Sequence, residues 1–266
     1  MAPGSPDRRA ERLARQRIEA RTVTAAEQLG ELGEDWVAWV DTAAARTWLA
    51  AEPPAGPAAW AATCAHAAAA LRWARPVIAD VPGDPDVRPA RAPDSGGRSG
   101  LVAPIDGVDD DRVAMLADAF AGVPGSLHLL MLTTGPRPIV IADPRIDLLV
   151  GSSPTERADR VRRAIAMVLV GRDRAEPDHA MEAFGLGTGV VAVSDGGADL
   201  ELVRDGWTGR VVPPTVDALA EVLDAQVATP ELPAASGARG RVLWELRDWD
   251  RCRRRLRAAL TIRSVL

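Results

Sequence analysis

Residues 171–214 read GRDRAEPDHAMEAFGLGTGVVAVSDGGADLELVRDGWTGRVVPP. Proline stands near the start of PDHAMEAFGLG and glycine at its end, which is the punctuation of a helix. The apolar run TGVVAVSD then reads as a strand, and a glycine pair leads into ADLELVRDG, read as a second helix closed by glycine. GRVVPP is short and extended. Strands and helices thus alternate through the stretch.

The alternation continues in both directions. Upstream, GLVAPID reads as a strand, DDDRVAMLADAFAGV as a helix and SLHLLMLTTG as a strand. RPIVIADPRIDLLVG holds one or two short strands. SPTERADRVRRAIA is a helix opening at a Ser/Pro/Thr cap with glutamate soon after, and MVLVG is a strand. Downstream, TVDALAEVLDA is a helix with a threonine cap. Such βα alternation predicts a parallel sheet covered on both faces.

The front of the chain is shorter and less regular. Residues 7–32 have helical composition, and their arginines suit a solvated face. DWVAWVD followed by TAAARTWLAAE suits a strand feeding a helix; AWAATCAHAAAALRWA and the compact run RPVIADVP extend that pattern. Residues 82–100, PGDPDVRPARAPDSGGRSG, are too rich in proline, glycine and aspartate for helix or central strand and read as a linker. The expected division is a helical segment over 1–34, a reduced α/β part over 35–81, the linker, a Rossmann-like domain over 101–228 and a C-terminal helix over 229–266.

Composition narrows the function classes. A formal charge of −5 argues against sequence-independent attraction to nucleic acid or anionic lipid. Lysine, asparagine and tyrosine are missing altogether, which with abundant Ala, Arg, Gly and Pro points to a very GC-rich, bacterial genome. Cys64 and Cys252 stand far apart, with no thiol pair at metal or redox spacing. No signal-peptide core opens the chain and no stretch approaches bilayer length, so the expectation is a cytoplasmic protein without a stable membrane span.

In open parallel sheets, ligands sit at the carboxyl ends of strands. Two strand-to-helix loops therefore matter, GRDRAEPD after MVLV and SDGGAD after VVAV. Helix starts offer unpaired N–H groups to a phosphate, glycines let backbone come close, and glutamate accepts from paired sugar hydroxyls. These loops suit a sugar nucleotide.

The order of two glutamates, the second on a helix, then GTGVVAVSD, a glycine pair, ELVRDGWTGRVVPP and ALAEVLDA resembles the donor half of retaining glycosyltransferases of the two-domain GT-B fold (glycosyl transferases group 1, family 4-like). GLVAPIDGVDDDRVAMLADAF is similar to the opening strand and helix of that domain, VIADVPGDPDVRP to the linker arriving from the acceptor domain, and RGRVLWELRDWDRCRRRLRAAL to the family's final tryptophan-bearing helix. The resemblance implies an α/β fold with a Rossmann-like donor domain and a truncated N-terminal α/β part. It also implies transfer from a nucleoside-diphosphate sugar to an unknown acceptor with retention, and no separate cofactor or metal. By position it makes Glu176 the catalytic contact to the transferred sugar and Glu182 the holder of the ribose. Gly196 and Gly197 approach the diphosphate, and Glu201 is the acidic residue opening the next helix.

The chain departs from the family at three places. Only PDHAM separates Glu176 from Glu182, two residues fewer than the family's spacing. Asp106 and Asp111 stand where the family places an arginine and a lysine on the diphosphate, so Arg112 or Arg172 must supply the compensating charge. The front part lacks the acceptor domain's glycine-rich loop, so the expectation is a compact offshoot, a truncated product, or half of a site completed by a partner protein or a second copy.

Plainer readings stand beside these. Glu176-Pro177-Asp178 is also what an acidic helix start looks like, Asp109–Asp111 complement a helix dipole without a metal, and a glycine pair also makes a tight turn. His179 on its helix reads as exposed, while His66 and Cys64 read as core. Two functions remain: a sugar-nucleotide-dependent transferase, and a glycosyltransferase-like binding or assembly subunit without chemistry.

Overall fold

The computed structural model describes residues 37–40, 59–62, 77–78, 97–139, 141–172 and 178–247. In the front part, β1 (Val37–Val40), β2 (Ala59–Ala62) and β3 (Val77–Ile78) form a parallel sheet in the order β1-β2-β3. These strands fall in the apolar runs that the sequence marks as strands. The expected N-terminal helix, His66, Cys64 and Cys252 lie outside the described residues.

The larger sheet begins at β4 (Leu101–Pro104), followed by α1 (Asp110–Ala121), β5 (Leu129–Thr133) and β6 (Ile146–Val150). Then come α2 (Pro154–Arg163), β7 (Ala166–Leu169), α3 (Asp178–Gly185) and β8 (Gly189–Val193). A 3₁₀ turn (Gly197–Glu201), β9 (Gly209–Val212), α4 (Val216–Ala228) and α5 (Glu231–Glu245) complete it. All six strands are parallel, in the order β6-β5-β4-β7-β8-β9. This is the doubly wound arrangement, whose strand order reverses between β4 and β7.

Alternation within the strands builds the two apolar layers. Leu101, Ala103, Val168, Val191 and Val193 turn to one face and pack with Leu116, Phe120, Leu219 and Leu223 of α1 and α4. Val102, Met167, Leu169, Val190 and Ala192 turn to the other and pack with Val161, Met181 and Phe184 of α2 and α3. β4, β7 and β8 are buried along their whole length, which explains their near-continuous apolar composition; the edge strand β6 is only partly buried.

Local signals agree with the helix starts. Ser153 accepts from the Glu156 backbone N–H at 3.2 Å and Thr215 from that of Ala218 at 3.4 Å, so each satisfies an otherwise unpaired donor. The segment ADLELVRDG departs from its expected form: only a 3₁₀ turn forms there, ending at Glu201. The chain is pulled out of helical register because Thr208 Oγ1 donates to Leu202 O at 2.6 Å and accepts from the Arg204 N–H at 2.8 Å. Just before β4, at the end of the proline-rich stretch, Arg98 donates to Ala164 O at 2.9 Å and Gly187 O at 2.7 Å, tying this segment to the ends of α2 and α3.

α5 lies close against α3 and the start of β8. A Cβ at Gly237 would stand 2.3 Å from Gly187 O, and one at Gly240 would stand 2.2 Å from the Phe184 ring. Ala at 237 gains about 1 kcal/mol of helix propensity, but the obstructing atom is a backbone carbonyl that cannot turn aside. Gly237→Ala is therefore expected to destabilise the fold by about 1–3 kcal/mol. A thermal melt no lower than that of the wild type would show that α5 is not seated this closely.

Candidate active site at the strand-order reversal

The reversal between β4 and β7 opens a crevice at their carboxyl ends, bordered by the loops that follow β4, β7 and β8. α1 leaves β4 toward one face and α3 leaves β7 toward the other, so side chains from both loops face each other across it. Of the charged residues singled out from the sequence, Asp111, Arg112 and Arg172 lie close together here.

Asp106 follows β4. Its carboxylate accepts from Thr133 Oγ1 at 3.0 Å and from the N–H and Oγ1 of Thr134 at 2.9 and 3.1 Å. It therefore joins the ends of β4 and β5, and its charge faces hydroxyl and amide donors. Arg137 closes the same loop, donating to Ile105 O at 2.7 Å and Val108 O at 2.6 Å and pairing with Asp110.

Arg112, in the first turn of α1, is 5% exposed and pairs with Asp195 in the loop after β8. Arg172, after β7, is half-exposed and lies 3.2 Å from Asp111, 3.6 Å from Asp109 and 3.8 Å from Asp195. The two arginines named as compensating cations are thus both in the crevice, and both face carboxylates. Asp111 sits beside one of them.

Glu182, in the second turn of α3, is largely buried. Arg157 of α2 grips it with both prongs, Nε to Oε1 at 2.7 Å and Nη2 to Oε2 at 2.8 Å. His179 lies one turn earlier, with Nδ1 3.1 Å from Arg157 Nη2. It is largely buried in this cluster, which corrects the exposed placement expected from sequence. Burial pushes the Glu182 carboxyl up, but hydrogen bonds and charge from His179 and Arg157 outweigh it and bring it down to about 2. Burial likewise acts to lower Arg157, yet its bonds to Glu182 and the charges of Glu182 and Asp106 leave it raised. Glu182 is held ionised and in one orientation.

The glycine pair makes the turn out of β8. A Cβ at Gly196 would meet Val193 O at 3.0 Å and Gly171 O at 3.9 Å, and Gly197 has φ +68°, a left-handed conformation. Glu201 ends the 3₁₀ turn, half-buried, and opens no helix, a correction with the cause given above. Glu176 lies outside the described residues. Among the described residues no group of His, Cys, Asp and Glu is arranged to hold a metal ion, and no helix is long and apolar enough to cross a membrane.

Sequence reasoning missed Arg157, Arg137 and Asp199. Asp199 is fully buried and accepts from the Ala180 N–H at 3.3 Å, so the loop after β8 caps the first turn of α3. Its signal was present as an acid directly after the glycine pair. Arg157 sits on a helix with three other arginines, and nothing local distinguishes it.

Several solved structures share this architecture. Sucrose-phosphate synthase from Thermosynechococcus elongatus superposes with a TM-score of 0.66 at 16% identity, over 96% of this chain and 70% of that one. Anabaena HepE, in complex with UDP and glucose, gives 0.66 at 13% identity over 85% and 71%. A glycosyltransferase from Rickettsia africae gives 0.61 at 12% identity over 95% and 86%. No protein-family model and no curated protein sequence matches the chain. The fold is that of the GT-B glycosyltransferases, a class defined here by architecture.

The Arg157–Glu182 pair makes a pH prediction. The folded-state pKa of Glu182 is depressed, so its contribution is fully present above its unfolded value near 4.5 and is lost as pH falls toward about 2. Glu182→Gln should lower stability by about 3 kcal/mol at pH 7, because it leaves Arg157 buried without its counter-charge. It should also flatten the fall in melting temperature below pH 4.5. Parallel wild-type and variant curves would mean the pair is solvated.

Proposed function

We propose that the crevice binds a nucleoside-diphosphate sugar and that the protein is a glycosyltransferase-like enzyme transferring the sugar, with retention, to an acceptor held outside this domain. The observation that carries the reading is Glu182: an ionised carboxylate fixed by a bidentate arginine at the strand-order reversal of a GT-B fold. Oε1 accepts one bond from Arg157 and keeps a lone pair for a ribose hydroxyl, while Oε2 serves Arg157 and His179. The Anabaena relative is described with UDP and glucose bound, which supports a donor of this class.

Arg172 is the cation for the diphosphate. It is half-exposed and held by carboxylates at 3.2 to 3.8 Å, so it can turn to an incoming phosphate. The Gly196–Gly197 turn, which carries no side chains, is assigned to the phosphates. Glu176, from the same loop as Arg172, is assigned to the transferred sugar. A partner protein or a second copy completes the acceptor side.

A second reading is favoured by the carboxylates around the arginines. Asp109, Asp111 and Asp195 already occupy Arg172 and Arg112, which suits a subunit that binds a nucleotide sugar, or a protein partner, without transfer.

Calorimetric titration with UDP-, GDP- and dTDP-sugars separates these readings from failure. Micromolar binding of one donor is expected. It should be lost in Glu182→Ala and weakened about tenfold or more in Arg172→Ala, with the loss confined to phosphorylated ligands. Slow release of free sugar from the bound donor would support transfer chemistry, and stable binding without release would favour the non-catalytic subunit. No binding of any donor removes the donor-site reading.

A further inference from the structure

Arg157 and Arg172 both hold carboxylates, and they hold them differently. Arg157 meets Glu182 through two bonds of 2.7 and 2.8 Å, and both side chains are largely buried. Arg172 is half-exposed and closes a fork on none of its neighbours. Asp111 at 3.2 Å is within hydrogen-bond reach, while Asp109 at 3.6 Å and Asp195 at 3.8 Å act on it by charge. Asp109 stands at the N-cap position of α1, yet its side chain makes no capping bond. The helix start therefore does not account for its placement beside Arg172.

Such an arrangement can be exchanged. Exposed ion pairs are weak, because water screens them and competes for both partners. If Arg172 turns away, Asp109 and Asp111, whose side chains are 58% and 65% exposed, are hydrated in its place, and Asp195 keeps Arg112. A phosphate offers the guanidinium two parallel charge-assisted bonds, which no carboxylate around it supplies. The buried Arg157–Glu182 pair has no such alternative, since parting it would leave two charges out of water.

We infer that Asp109 and Asp111 form an internal latch on Arg172: before a donor arrives they occupy the guanidinium that the diphosphate takes, and loading the donor means replacing one set of anions by another. This rests on the donor-binding reading above and adds the regulation of that site. The latch acts on affinity for the diphosphate and is indifferent to the base and the sugar. Its signature is a gain of binding when carboxylates are removed, the opposite of what residues needed for the pocket's shape would show.

The full chain is titrated calorimetrically with UDP, GDP and dTDP, with their glucose conjugates, and with the nucleosides alone. The proteins are the wild type, Asp111→Asn, the Asp109→Asn/Asp111→Asn double variant, and Asp110→Asn. Asparagine keeps the shape of each side chain, and melting curves establish that every variant is folded. Asp110 pairs with Arg137 and serves as the control. Affinity for the phosphorylated ligands should rise about three- to tenfold in the double variant, less in Asp111→Asn, and change less than about twofold in Asp110→Asn, with the nucleosides unaffected. The gain should vanish once Arg172→Ala is added, as a double-mutant cycle requires of an effect carried by that guanidinium. A gain that survives Arg172→Ala would overturn the inference, because the carboxylates would then be repelling the phosphates directly. If the wild type binds these ligands and the double variant binds them no tighter, the inference falls and the donor-site reading stands. If wild type and variants alike bind none of them, the donor-site reading falls and takes the inference with it.

Discussion

The central strands β4, β7 and β8 have no side facing water. A charged group within them would lose its hydration with nothing to replace it. Polar chemistry is therefore pushed to where the strands end, and at the carboxyl ends those exits coincide with helix starts. The reversal of strand order between β4 and β7 then separates two such exits by a gap. Asp111, Arg112, Arg172 and Asp195 meet there although they are scattered over more than eighty positions of sequence.

Within that gap, arginine is the only strong cation the chain has. Its planar fork decides the geometry in a way lysine would not. Arg157 fixes Glu182 through two bonds, Arg137 draws the β4–α1 loop onto itself through two carbonyls, and Arg112 reaches across to the loop after β8. Each carboxylate named in the crevice has a donor or cation within reach, which is how so many acids stand close together. Among the described arginines of the gap, Arg172 has enough solvent around it to change partners.

The sheet was legible because its signal is local. Four or five consecutive apolar residues flanked by glycine, proline or aspartate mark a buried parallel strand, and β4, β7 and β8 carry that pattern. Caps such as Ser153 and Thr215 are equally local. The segment after the glycine pair was misread because ADLELVRDG has helical composition, while its outcome depends on Thr208, a residue beyond it that captures Leu202 O. The site was legible in part: of the residues singled out, Arg112 and Arg172 come together around Asp195 at the strand ends. What contacts they make was not legible. Arg157 lies twenty-five positions from Glu182 and Asp195 eighty-three from Arg112, and such pairings arise only from the crossover of helices over the sheet. The plain reading of a helix histidine as exposed failed at His179, which is largely buried, and family likeness set Glu201 at a helix start where a 3₁₀ turn ends.

Asp199 has a mechanical meaning. Its carboxylate, carried by the turn leaving β8, accepts from the Ala180 amide in the first turn of α3, the helix that carries Glu182. A displacement of the glycine turn would thus tilt α3 and swing the Glu182–Arg157 clamp with it. Occupancy at one wall of the gap would be felt at the other as a lever moving about a single carboxylate.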